Sequence, residues 1–516
     1  MSSPEVRVVY SYPKSQIVGD LPDSCLFRLD SDCSFGLQGM KWMRRYWQSE
    51  VMSGGEGSAR ASRMMDWDGK VRLFSSKTKK FPTGLMSRVL KILDEYRVDY
   101  GIERRLPTYV AETPWLLDGI TLRSYQEIAT GSLLAAKRGI FWAPPRSGKT
   151  VVAASLIARA GIYPVLFICE RLDLAYQNIE TLERVLRYSV EDEIFETRSV
   201  PIGYVMDQKC KLCPVTVATI QSLCSAYDEI YDQSASEKLV LDSDKERVRR
   251  LVAASRVIVV DETHHVASPS YRKLLSRAIS AEFVAGLSGT PWRDDGLDLY
   301  LEAYVGPVVY SVSYETLFDA GFLVEPTIYV VHMEKKRYSS SARYPTIYRE
   351  QIVENETRNG VIKWFVQKMN SLGLSVMVLI NQPLRHGNIL KSMIEGSEFL
   401  HGSVDTDTRR QLLESLRRKE LMCLVTTVGD EGLDIPSLDA VVVADSGTSS
   451  VRALQRMRCM TPCEGKKCAY VLDFYDHCRH LSEHSKCRLE LYQSQPRFRV
   501  VEKIDIDFSC LLKEVE

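Results

Sequence analysis

The stretch Ala143 to Thr150 (APPRSGKT) follows the apolar run GIFW and precedes the helical run VVAASLIARA. Small residues and Gly148 let backbone amides close around a phosphate chain at a helix N-terminus, which makes Pro145, Arg146, Ser147, Gly148, Lys149 and Thr150 candidate ligands of a nucleoside triphosphate. Lys149 would reach the terminal phosphates and the Thr150 hydroxyl would hold Mg²⁺. Further on, RVIVV runs into Asp261 and Glu262 within DETHH. A strand-end aspartate can share that Mg²⁺, and the neighbouring glutamate can polarise the attacking water. Two adjacent acids are more often plain surface charge. Here four apolar residues before them and a phosphate loop upstream point to the second half of a nucleotide site.

Such a site needs a sheet to hold it. From Thr121 onward, apolar runs (GIFWA, PVLFICE, VTVATI, RVIVVDE, FVAGLSG) alternate with longer amphipathic stretches. Unbroken β-rich runs separated by helices predict parallel strands covered on both faces. The same texture returns after residue 326 in LSVMVLINQ, MCLVTTV, AVVVADS and AYVLDFYD. The predicted fold class is therefore α/β, with two tandem parallel-sheet domains. A Tyr-, Ser- and Arg-rich segment (KKRYSSSARYPTIYRE) interrupts the second as an insertion or exposed loop.

The first 110 or so residues instead mix short β-like runs with polar stretches, including SGGEGSARAS, and predict a small α+β domain with one flexible loop. Within residues 67–105, ten Lys or Arg face five acids, with Trp67, Phe74 and Phe81 interleaved. That is either a phosphate-tracking face or a solvated face over core aromatics. Residues 452–499 carry the same excess, as a nucleic-acid rim or a solvated helix beside the second sheet. Over 516 residues, 67 basic side chains balance 67 acidic ones, so any affinity for nucleic acid rests on local patches. With 45% hydrophobic and 26% charged residues, disordered and fibrous classes are excluded. No apolar run approaches a membrane span, and MSSPEVRVVYSYPKS lacks a signal-peptide core, so a cytoplasmic chain without membrane contact is expected. The 13 cysteines read as thiols of a reducing compartment. One CxxC (Cys210, Cys213) and a late cluster including Cys459, Cys463, Cys468, His477, Cys478, His480, His484 and Cys487 have no matching second ligand pair, which favours free thiols over zinc.

Further elements, in order, resemble the superfamily 2 helicases of the DExH type. Leu122 to Gln126 (LRSYQ) look like the adenine-reading element, which assigns Arg123 and Gln126 to the base. ERLDLAYQ is similar to motif Ia, with Arg171 on the nucleic-acid backbone, and Thr219 of VATIQSL resembles motif Ib. The DETH motif and SGT resemble motifs II and III, which implies a coupling role for His264, Ser288 and Thr290. In TTVGDEGLDIP, Thr426 is similar to the phosphate-reaching hydroxyl of motif V, with Gly432 and Asp434 near the nucleotide. The resemblance covers residues 120–475. It implies two RecA-like domains, ATP and Mg²⁺ as cofactors, and hydrolysis between the domains. It assigns catalysis to Lys149, Asp261, Glu262, Gln455 and Arg458.

Motif VI departs from the family pattern. QxxGRxxR is replaced by Gln455, Arg456, Met457, Arg458, Cys459, Met460 and Thr461: the glycine is missing and Thr461 stands at the second arginine. Arg458 is left as the charge-neutralising finger, with Arg456 as a substitute, so either the loop is re-registered or hydrolysis is impaired.

In the first module, DWDGKVRLF followed by a basic turn and FPTGL looks similar to the opening domain of UvsW-like phage helicases, with XPB-like and type III restriction subunits as alternative cousins. That resemblance implies remodelling of branched DNA or R-loops in a host cytoplasm. The expected partner is nucleic acid, with DNA (branched or single-stranded) ahead of R-loop RNA, and no obligate protein partner. The alternative function is an ATP-gated clamp or annealing protein with weak hydrolysis. The expected domains are 1–115, a nucleic-acid-binding module; 116–325 and 326–476, the RecA-like pair; and 477–516, a tail.

Overall fold

The computed structural model describes residues 5–37, 68–105, 115–189, 197–227, 242–289, 296–339, 343–427, 435–447, 453–454, 456–478 and 480–503. The chain divides into two compact units: Met1–Ala143 with Gly148–Ser311, and Pro144–Ser147 with Val312–Glu516.

The first unit opens with a four-stranded sheet. Strand β1 (Val6–Tyr10) pairs antiparallel with β2 (Lys14–Val18) and parallel with β4 (Tyr100–Arg104), and β2 pairs antiparallel with β3 (Lys80–Pro82). Helices α1 (Asp23–Asp32) and α2 (Met86–Glu95) bury Cys25, Leu29, Val89, Ile92 and Leu93 against Val8, Ile17 and Phe81. Phe74 and Phe81 thus belong to a core and not to a charged face; Trp67 and the SGGEGSARAS loop lie outside the described residues.

This α+β module is docked on the larger sheet of its unit. The Arg138 guanidinium donates to the Tyr10 hydroxyl (2.9 Å) and the Ala281 carbonyl (2.6 Å) and lies over the Tyr12 ring. The Tyr12 hydroxyl donates to the Leu275 carbonyl at 2.9 Å. Helix α6 (Asp298–Tyr304) presents the Glu302 and Ala303 carbonyls to Gly84 so closely that any side chain there would collide with backbone. Arg88 pairs with Glu302, and Phe35 meets Tyr300 edge to face.

That larger sheet has eight strands, in the order β8-β7-β9-β6-β10-β11-β5-β12. In chain order they are β5 (Arg138–Trp142), β6 (Val165–Cys169), β7 (Ile202–Met206), β8 (Lys209–Lys211), β9 (Val215–Thr219), β10 (Val257–Asp261), β11 (Phe283–Ser288) and β12 (Val308–Ser311). All pair parallel except the β7–β8 hairpin, which carries Cys210. Every residue of β6, β9, β10 and β11 is buried, as two helix-covered faces require. Helices α3 (Ser124–Ala136), α4 (Lys149–Ala160) and α5 (Leu172–Val185) carry the candidate motifs.

The second unit is a seven-stranded, wholly parallel sheet in the order β15-β16-β14-β17-β18-β13-β19. Its strands are β13 (Pro326–His332), β14 (Val376–Leu379), β15 (Ser397–Leu400), β16 (Cys423–Thr426), β17 (Ala440–Val443), β18 (Ala469–Tyr475) and β19 (Arg499–Lys503). The insertion forms helix α7 (Tyr344–Tyr348), followed by a π-turn (Arg349–Val353) and α8 (Glu356–Ser371).

Residues 480–503 are not a tail. Helix α9 (Leu481–Ser494) packs on β18, and β19 forms an edge of the sheet. Arg488 of α9 is buried in a two-pronged pair with Asp473 (2.9 and 3.0 Å), which is why a run rich in charge serves as a packed helix. The sheet unit also starts before 326, since Tyr314 and Phe318 pack on Phe498.

Candidate nucleotide site

Strand β5 ends at Trp142, and the Ala143 N–H donates to the Ser288 carbonyl at the end of β11 (3.0 Å). The chain then turns through Arg146 (φ 72°) and Gly148 (φ 74°) before α4 begins at Lys149. Glycine suits position 148: its φ is one that side chains rarely adopt, and a Cβ would displace the Gln126 amide. The first turn of α4 therefore presents backbone N–H groups at a helix N-terminus, where an anion is favoured. Lys149 Nζ donates to the Ala143 carbonyl across the loop at 3.4 Å, which keeps the ammonium over it.

The Mg²⁺ side is organised by a residue that sequence reasoning did not single out. Asn178, buried in the middle of α5, accepts from the Thr150 hydroxyl (2.9 Å) and donates to Asp261 Oδ2 (3.2 Å) and Cys169 Sγ (3.4 Å). One amide thus joins the two expected Mg²⁺ ligands across three elements. A single mid-helix asparagine carries no spacing signal; only the convergence of α4, α5 and β10 gives it meaning. Burial raises the Asp261 carboxyl to about 6, the Glu262 charge pushes the same way, and Lys149 and the Asn178 amide pull it down.

Glu262 sits in the left-handed region (φ 47°), donates its N–H to Asp261 Oδ1 (3.1 Å) and lies 3.4 Å from His264 Nδ1. A non-glycine residue held there is a local strain of the kind found at working sites. The Thr263 hydroxyl donates to the Leu287 carbonyl (3.0 Å) and packs on Gly286, which has no room for a Cβ. The DETH turn, β11 with buried Ser288, and the start of the phosphate loop are therefore one packed unit. Cradle, lysine, hydroxyl and buried carboxylate fit an ATP–Mg²⁺ group.

The remaining candidates divide. Gln126 Oε1 accepts from the Arg123 N–H (2.9 Å) in a capping box, and its amide faces Gly148. This glutamine is thus committed to the start of α3 and to the phosphate loop. Arg171 is exposed at the N-cap of α5. Thr219, expected to offer its hydroxyl to a strand, is buried: its oxygen accepts from Ser222 N–H (3.4 Å) and it donates to Ser222 Oγ (2.9 Å), capping the helix Ile220–Ser225. Thr426 ends β16, fully buried between β14 and β15. Thr290, Gly432, Asp434 and Gln455 lie outside the described residues.

In motif VI, the Arg458 backbone starts a single 3₁₀ turn (Arg458–Met460). Arg456 is no substitute finger. Both of its terminal nitrogens donate to the Asp445 carboxylate (2.6 and 2.9 Å), and both side chains are buried.

Comparison with known proteins agrees with this geometry. Residues 119–293 match the family of the type III restriction enzyme res subunit, and residues 349–458 match the helicase conserved C-terminal domain. Together they bear out the superfamily 2 resemblance and the pair of RecA-like domains. The DNA 3'-5' translocase XPB2 of Sulfurisphaera tokodaii is 23% identical over 67% of this chain and 79% of its own length. The DNA 3'-5' helicase XPB of Mycobacterium tuberculosis is 25% identical over 66% of this chain and 57% of its own. The crystal structure of T4 UvsW aligns over 97% of this chain and 99% of its own, at 18% identity and a TM-score of 0.41. The chain spans about half the length of the first curated relatives it matches. No helix among the described residues is long and apolar enough to cross a membrane.

Proposed function

From a chain whose two parallel-sheet domains are those of a superfamily 2 helicase, we propose a nucleic-acid-dependent ATPase that moves along or remodels DNA, with branched DNA or R-loops as its substrates. The observation that carries this is the Thr150–Asn178–Asp261 chain beside Lys149, which prepares a phosphate cradle and a cation seat on one domain of a helicase pair. Bound ATP with Mg²⁺ supplies the phosphoryl group that is cleaved. Lys149 and the α4 amides hold phosphate, Thr150 and Asp261 hold the cation, and Glu262 orients the attacking water, with His264 at its carboxylate. Arg171, exposed at a helix start, contacts the strand backbone, and the basic α+β module adds a sequence-independent grip. Affinity for the strand falls steeply with salt as a result. A host-cytoplasm setting and the lack of an obligate protein partner belong to the same proposal.

A second reading has its own support. With Arg456 committed to Asp445, motif VI holds fewer free arginines than the family pattern, which favours an ATP-gated clamp or annealing protein with slow hydrolysis.

Steady-state ATPase measured without nucleic acid and with single-stranded, duplex and branched DNA separates the two. A motor shows hydrolysis accelerated by DNA; a clamp shows ATP-dependent affinity with negligible turnover. Lys149→Ala removes turnover and leaves the melting profile unchanged, whereas normal hydrolysis in that variant defeats the site assignment.

A further inference from the structure

On the second domain, four rings gather where α7 meets α9. Tyr344 lies 6.0 Å from Tyr348, 6.4 Å from His480 and 6.3 Å from His484, centroid to centroid. Tyr348 is buried, while Tyr344 is 41% exposed and His480 is exposed.

The backbone that presents these rings is unusual at both ends of the cluster. Helix α7 runs directly into the π-turn Arg349–Val353, a feature that recurs at functional sites. His480, at the start of α9, is held in the left-handed region (φ 69°), where a residue with a Cβ is uncommon. Both features are fixed from below by one apolar cluster of Ile347, Tyr348, Ile352, Val353, Cys478 and Leu481. The His484 Nδ1 contact with the Ser446 carbonyl (3.0 Å) fixes the third ring. The backbone on either side of the exposed rings is therefore anchored by this cluster.

A ring that is 41% exposed suits a flat ligand that is itself only intermittently stacked. Arg343 and Arg349 stand exposed at the two ends of the same short helix; Arg349 lies 3.8 Å from Glu354, and the Asp445 and Asp476 carboxylates act on Tyr344, so Arg343 is the cation offered beside the rings. Aromatic faces beside cations are how single strands are gripped without regard to sequence, since every base has a π-face. Resting on the nucleic-acid reading above, we propose that Tyr344, with His480 and His484 behind it, is a stacking platform for an unpaired base of the single strand. It would be a contact to a base, where the motif residues contact phosphates.

The test uses the full chain, a fluorescent oligothymidylate and an abasic strand of equal length, with affinity read by anisotropy over a range of salt. Tyr344→Ala weakens binding to oligothymidylate about 5- to 150-fold, the range measured for loss of one base–aromatic stack. Tyr344→Phe, which keeps the ring, binds like the unaltered chain. His480→Gly relieves the backbone while removing a ring, so it stays folded and also binds the oligothymidylate less tightly. Both ring-deleting variants bind the abasic strand normally, and the salt slope is unchanged because stacking releases no counterions. The platform is overturned if Tyr344→Ala binds oligothymidylate normally, loses the abasic strand equally, or loses affinity for an ATP analogue instead. An unaltered chain that binds no strand at all overturns the nucleic-acid reading itself and the platform with it; binding that ignores Tyr344 overturns the platform alone.

Discussion

The Arg456–Asp445 pair decides how motif VI is to be understood, and Arg456→Ala tests it. The two side chains are 5% and 3% exposed and meet through two parallel hydrogen bonds of 2.6 and 2.9 Å. Removing one partner of such a pair leaves a buried, uncompensated charge, at a cost of about 3 to 5 kcal/mol. Tenfold per 1.4 kcal/mol makes that a loss of about 150- to 4,000-fold in the folding equilibrium of the second domain. At roughly 2 to 4 °C per kcal/mol for a domain of this size, its melting midpoint falls by about 6 to 20 °C. Differential scanning fluorimetry and urea titration of the full chain read this directly. Replacing both partners with apolar residues of similar volume, Arg456→Met with Asp445→Leu, restores most of the loss, because no charge is stranded. An arginine finger would behave in the opposite way: the chain would melt normally while hydrolysis fell by about 10³ to 10⁵. Normal melting with such a catalytic loss would refute the structural role given to Arg456.

Two more expectations concern other buried polar groups. Asn178→Leu, which keeps the volume and removes the bridge between Thr150 and Asp261, raises the Mg²⁺ concentration for half-maximal ATPase by about 10- to 100-fold, as loss of an outer-shell partner does; an unchanged Mg²⁺ titration would show that the bridge is incidental. His386 is fully buried, donates from Nε2 to Asn359 Oδ1 at 3.1 Å, and has its pKa lowered to about 3, by desolvation first and the Arg358 charge second. Because the folded pKa lies below the unfolded value near 6.5, the neutral imidazole stabilises the fold above pH 6.5 and that contribution is lost as the pH falls toward 3. At pH 5 the loss is about 2 kcal/mol, from 1.5 pH units at 1.36 kcal/mol each. His386→Gln flattens the dependence, and urea midpoints at pH 7 and pH 5 that move equally in both proteins would remove His386 as its cause.

What the sequence makes legible follows from how local each signal is. Strand, glycine turn and helix are neighbours in the chain, so the loop from Ala143 to Thr150 and the pair Asp261 and Glu262 can be read from their flanks. The alternation of apolar runs and amphipathic stretches carries both parallel sheets. Asn178, Asp445 and Arg488 act through partners far along the chain, and no spacing rule points to them. Thr219 shows the limit differently: a threonine just before a helical run is a capping signal in its own right, and here capping takes the hydroxyl that motif Ib would give to a phosphate. The charges of α9 obscure a packed helix because Arg488 finds Asp473 only in three dimensions. The alternation in RFRVVEK is a strand signal that the surrounding charge conceals.

The way the α+β module sits on its sheet bears on how such chains can be cut and recombined. Tyr10, Tyr12, Gly84 and Arg88 meet Arg138, Leu275 and the end of α6, and the module's core cluster takes in Ala303 from that helix. Deleting residues 1–105 would strand the Arg138 guanidinium and expose Ala303 and Tyr300 to water. A truncated chain would lose solubility for reasons unrelated to DNA, and its inactivity would say nothing about what the module binds. For the same reason the module is no interchangeable cassette. To graft it onto another member of the family, the seam would have to travel with it: the carbonyl-lined end of α6, the arginine at the start of β5, and a glycine where Gly84 now stands.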